Sequence, residues 1–71
     1  MQITLATRFK PTDEWETTTD IEFDGTFAEY MASRKPDWEH LRDMSVKDYV
    51  QNAVNKGTLK VIEPANWQEL V

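Results

Sequence analysis

Two stretches of strict alternation, broken by one turn, limit what this chain can become. From Met1 to Phe9, Ile3, Leu5, Thr7 and Phe9 fall on one side, and Gln2, Thr4, Ala6 and Arg8 on the other. A period of two marks a strand with one buried face. Lys10-Pro11-Thr12-Asp13 interrupts it, since proline cannot donate to a ladder and aspartate favours turns. The alternation then resumes from Glu14 to Asp24. Trp15, Thr17, Thr19, Ile21 and Phe23 share one face, and Glu14, Glu16, Thr18, Asp20, Glu22 and Asp24 the other. Threonines at 17, 18 and 19 favour strand over helix. An N-terminal antiparallel β-hairpin is the expectation, with the first of these faces in the core.

The pattern changes after Asp24-Gly25. Thr26 followed by Glu29 is a capping-box pair, and it predicts a short helix from Phe27 to about Arg34. Pro36 stops that helix and suits the first turn of another, with Trp38 and Leu41 as its apolar positions. Ser45 and Asp48 form a second cap-like pair. Val46, Tyr49, Val50, Ala53 and Val54 follow as the clearest helical stripe in the chain. Lys56-Gly57 closes it, and Thr58 to Glu63 reads as a third strand ended by Pro64. The tail from Ala65 to Val71 fits one helical turn with Trp67 and Leu70 packing back. The expectation is an α+β fold, a single domain over residues 1–71. A hairpin, two or three short helices and a C-terminal strand joining the sheet give it a ββααβ-like order.

With 71 residues the core must be thin, and with no cysteine it has no disulfide staple. The apolar runs are too short for a transmembrane helix or a secretory signal, so a complete cytoplasmic polypeptide is expected.

Charge is the least ordinary feature. Thirteen acids against eight bases give −5 overall, but the acids are not spread evenly. Asp13, Glu14, Glu16, Asp20, Glu22, Asp24 and Glu29 lie between Pro11 and Ser33 without a single Lys or Arg, which leaves the remainder at +2. Direct binding to nucleic acid or to an anionic membrane needs the opposite sign. An acidic segment is steered instead toward a basic protein surface.

Asp20, Glu22, Asp24 and Gly25 resemble the opening of an EF-hand calcium loop, with Phe27 at the eighth place. The twelfth place, which should carry a bidentate carboxylate, is Met31, and no helix precedes Asp20. No metal and no cofactor is expected. His40 stands beside Glu39 and near Asp37 and Asp43, but no cysteine exists and the nearest hydroxyls are Ser33 and Ser45. The two glycines are far apart and cannot make a phosphate-cradling loop. A non-enzymatic protein is therefore expected, with no catalytic residue.

What remains is a surface. Alternate strand residues are about 6.6–6.8 Å apart, so Glu14, Glu16, Asp20, Glu22 and Asp24 read as one regular carboxylate row. Such a row resembles a nucleic-acid backbone to a protein that binds one. An ordinary solvated face, or an edge strand protected by charge, would look the same in sequence. Eight aromatic residues enlarge the core, but Trp38 and Trp67 flank prolines and are candidate anchors for a partner. The expected function is an interaction module whose acidic face docks on a basic surface of a larger protein. A small phage-type inhibitor, a DNA-mimic-like antagonist of a host nucleic-acid-binding machine, is its sharpest version. The alternative is a structural or assembly accessory protein acting as a homodimer.

Overall fold

In the computed structural model, which describes all 71 residues, a three-stranded antiparallel sheet carries the architecture. β1 (Gln2–Thr7) is its centre, with β2 (Glu16–Glu22) on one side and β3 (Leu59–Glu63) on the other. Between β2 and β3 run α1 (Phe27–Arg34), α2 (Glu39–Arg42) and α3 (Val46–Asn55), and α4 (Trp67–Leu70) follows β3. The α+β class, the hairpin and the returning strand are as expected from sequence. The tail adds a fourth helix of one turn.

The helices start and stop where local chemistry directs. Thr26 Oγ1 accepts from the Glu29 N–H at 3.1 Å, and Glu29 Oε1 accepts from the Thr26 N–H at 3.3 Å, completing the capping box. Ser45 Oγ accepts from the Asp48 N–H at 3.1 Å and starts α3. Its apolar stripe meets the core as expected, with Val50 fully buried. Gly57 turns the chain back at φ 77°, a conformation that strains any residue with a Cβ. α2 is held from outside: Lys35 Nζ donates to the Leu41 and Arg42 carbonyls at 2.6 and 3.2 Å. These are among the carbonyls that the end of a helix leaves without partners.

Ile3, Leu5, Phe27, Met31, Val50 and Leu59 make the core, and only 8 of 71 residues are buried. All of the six but Leu59 are within one per cent of complete burial, so the few large side chains present are used fully. The helices cover the sheet face that carries Ile3 and Leu5. The other face is open.

Three sequence expectations shift. β1 ends at Thr7, and Phe9 is 86% exposed at the lip of the turn that Asp13 closes on the Lys10 N–H. No helix reaches over that position. Trp38 is the residue preceding α2, not part of its buried side, and is 59% exposed. The largest correction is in β2. Its partners run Thr7↔Glu16, Ala6↔Thr17, then Leu5↔Thr19, so Thr18 is an extra residue in a β-bulge. A bulge reverses which residues face which way. Thr19 and Ile21, opposite buried Leu5 and Ile3, face the helices. Thr17 pairs with Ala6 on the open face, and Trp15, two residues earlier, follows it there. Trp15, Thr17, Thr19, Ile21 and Phe23 therefore do not share one face. β3 carries a second bulge, which leaves Ile62 between the pairs Thr4↔Glu63 and Leu5↔Val61.

Candidate interaction surface

The bulge also divides the carboxylate row. Glu16 pairs with Thr7 on the helix side of the sheet, whereas Asp20 and Glu22 pair with Thr4 and Gln2 on the open face. Glu14 precedes the strand and Asp24 follows it, both exposed. What the structure brings together is a ribbon of acids along one edge, with the threonine segment in the middle. It is not a single flat row.

The local contacts of these acids differ. Asp20 Oδ1 accepts from Gln2 Nε2 at 2.6 Å and from Thr4 Oγ1 at 3.1 Å, both side chains of the neighbouring strand. Glu22 Oε1 receives the Met1 ammonium at 2.7 Å. The other ion pair of the molecule, Arg42 with Asp37 at 3.2 Å, lies elsewhere. None of the five carboxylates is paired with a Lys or Arg side chain.

At the opposite end of the open face, cations gather. The Arg8 guanidinium lies 3.9 Å from the centre of the Trp15 ring, and the Lys60 ammonium 5.9 Å from it. Arg8 also donates from Nε to the Gly57 carbonyl at 2.6 Å and from Nη1 to the Asp13 carbonyl at 3.2 Å, tying the hairpin turn to the end of α3. In the register, Ala6 lies between Thr17 and Lys60 and is only 3% exposed, although no helix covers that face. Trp15, with the Arg8 and Lys60 cations against its ring, lies toward that same end of the face.

Trp38 and Trp67 separate in role. Trp67 is half-buried against the core with Leu70 and Val71. The Trp38 ring lies tilted over His40, centroids 5.8 Å apart, on the rim of an open groove of about 360 Å³. Leu41, Met44, Tyr49 and Lys56 are among the other lining residues. His40 is exposed and holds no ion pair. No three His, Asp or Glu side chains converge as metal ligands would, and Asp20 and Glu22 are held within a strand.

One cluster escaped the sequence reading. Thr19, the only buried polar residue, meets the Tyr30 hydroxyl at 3.2 Å, and Arg34 Nη1 donates to both, at 3.3 and 3.2 Å. Burial by itself would raise the Tyr30 phenol. The hydrogen bonds with Thr19 and Arg34, helped by the Arg34 charge, outweigh it and leave the group below its ordinary value. The i, i+4 spacing of Tyr30 and Arg34 and the core-facing place of Thr19 were both visible signals; that α1 brings them together was not.

Compared with known proteins, the chain matches no family model, no curated protein and no solved structure. No helix is long and apolar enough to cross a membrane.

Proposed function

We propose that this chain is a non-enzymatic interaction module that docks its acidic β2 edge on a basic surface of a larger cytoplasmic protein. The observation that carries this reading is the state of the five edge carboxylates. Glu14, Glu16, Asp20, Glu22 and Asp24 are all exposed, and no Lys or Arg of the chain neutralises them. Only Glu22 meets a positive charge, the Met1 ammonium; the field of the other four is left for a partner, and it would speed encounter with a basic surface. In its sharpest form the module is a small phage-type inhibitor, a nucleic-acid mimic occupying the phosphate-binding surface of a host machine. Trp38 then serves as a second, apolar contact. The module itself touches neither nucleic acid nor membrane.

The test combines salt with charge. A tagged copy captures partners from a cell lysate at low ionic strength, alongside the variant Glu16→Gln, Asp20→Asn, Glu22→Gln. Capture that weakens with salt and is lost in the variant supports the reading. Capture indifferent to both refutes it. A dimer in sedimentation that persists in high salt would favour the homodimer alternative, through the exposed rings of Phe9 and Trp38.

A further inference from the structure

β2 is hydrogen-bonded on one side only. The first pair of the hairpin shows which of its backbone groups face outward. Phe23 N–H donates to the Met1 carbonyl at 2.8 Å, and the Met1 amine donates to the Phe23 carbonyl at 2.8 Å, so these two residues exchange both bonds. In an antiparallel ladder, pairs of that kind alternate with pairs that exchange none. Counting along the register, Ile3↔Ile21 and Leu5↔Thr19 are of the bonded kind, and Gln2↔Glu22 and Thr4↔Asp20 are not. Asp20 and Glu22 therefore aim their N–H and C=O groups away from β1, toward solvent.

These are also the two residues whose carboxylates lie on the open face. The positions between and beside them, Thr19 and Ile21, look to the helix face, where Ile21 is still 39% exposed. The edge thus offers three things at once: free backbone groups, negative charge on one face and an apolar side chain on the other.

We propose that this edge accepts an added strand from a partner segment in which Lys or Arg alternates with an apolar residue. The proposal rests on the acidic-docking reading and states how the docking is made. Strand addition draws affinity from main-chain bonds and specificity from alternate side chains. In this register the partner's basic residues stand across from Asp20 and Glu22, and its apolar residue stands across from Ile21. Opposite charges on directly facing strand positions attract, and like charges repel. A second copy's β2 would bring carboxylate against carboxylate, so the same charges that admit a basic strand turn away this chain's own edge. The bulge at Thr18 limits the regular stretch to Thr19 through Phe23, so the added strand is short.

The probe is the peptide acetyl-Lys-Val-Lys-Val-Lys-amide, set against the same peptide N-methylated at every residue, at low ionic strength. Methylation keeps the charge and removes the backbone donors. The unmodified peptide is expected to bind at least tenfold more tightly and to slow hydrogen exchange at the Asp20 and Glu22 amides. If both peptides bind equally and neither amide is protected, charge alone makes the contact; strand addition is then overturned while the acidic-docking reading stands. If neither binds, both fall. The double reversal Asp20→Lys, Glu22→Lys should switch preference to acetyl-Glu-Val-Glu-Val-Glu-amide. A reversed protein that still prefers the basic peptide would equally overturn the proposal.

Discussion

β1 and β2 are neighbours of nearly equal length and similar alternation, yet one is the most buried element of the molecule and the other is exposed at all but one position. β1 holds Ile3, Leu5 and Ala6 out of water, and β2 holds only Thr19. The difference is position in the sheet. A central strand is paired on both edges and here is covered by helices on one face. β2 has one paired edge, and only Thr19 of its helix-facing residues is covered. Alternation in sequence reports that a strand has two unlike faces; it does not report whether either is covered. Stability belongs to the first strand, and the second is left free for contact.

The sharpest way to break this comparison is to place a charge in each strand. Leu5→Asp should cost roughly 3 kcal/mol or more, because an unpaired carboxylate enters the core. Thr17→Asp, on exposed backbone one strand away, should stay within about 0.5 kcal/mol of neutral. Equal losses in chemical denaturation would show that β2 is as structural as β1. The charge-removing triple change at Glu16, Asp20 and Glu22 comes next. Folding should change by no more than about 0.5 kcal/mol, since each amide keeps the shape of the carboxylate it replaces, while partner affinity falls tenfold, about 1.4 kcal/mol. A variant that binds as well as the parent would remove the functional half of the contrast.

Trp15→Ala addresses the one place where β2's approach segment supports β1. Loss of the ring's contact with Arg8 and Lys60 should lower stability by about 0.5–1 kcal/mol from the cation–π attraction. An unchanged melting temperature would mean that this contact contributes nothing to the fold. The smallest effect is on titration. Tyr30 has its folded value lowered, so it should ionise earlier on raising the pH than an ordinary tyrosine, seen as phenolate absorbance. Its lowered value contributes stability above the ordinary tyrosine value, and that contribution is lost as the pH falls through the folded one. Arg34→Met should move the Tyr30 transition upward, and a transition that stays in place would show that Arg34 plays no part.

Most helix ends were legible because their signals are local. Thr26 with Glu29, Ser45 with Asp48, and Gly57 after Lys56 each act within a few residues, and the structure uses each one. The stripe from Val46 to Val54 needs only a surface to meet. The phase of β2 could not be read this way. Its extra residue sits within Thr17-Thr18-Thr19, three identical side chains, so the alternation passes through the bulge without a visible break. That single hidden insertion moved Trp15 and Thr17 to the open face and put Glu16 on the other side from Asp20 and Glu22. Trp38 stands just before α2 and not in its first turn, and it is exposed, for a different reason. A helix of one turn has too little surface to bury the residue before it.

The sheet order has a consequence in time. β1 stands at the start of the chain, yet one of its two partners is β3, and Thr4 pairs with Glu63 nearly the whole sequence away. The hairpin of β1 and β2 can form early, but a two-stranded ribbon in water is marginal by itself. Its centre strand keeps one edge open until α1, α2 and α3 have been made and the chain has returned. Contacts of such wide separation slow folding relative to a helical bundle of the same size. On a ribosome, then, β1 emerges well before β3 and waits for the last of its partners to be secured. In the interval Ile3 and Leu5 stand unprotected, and the run of carboxylates on β2 travels beside them as a solubilising charge already in place.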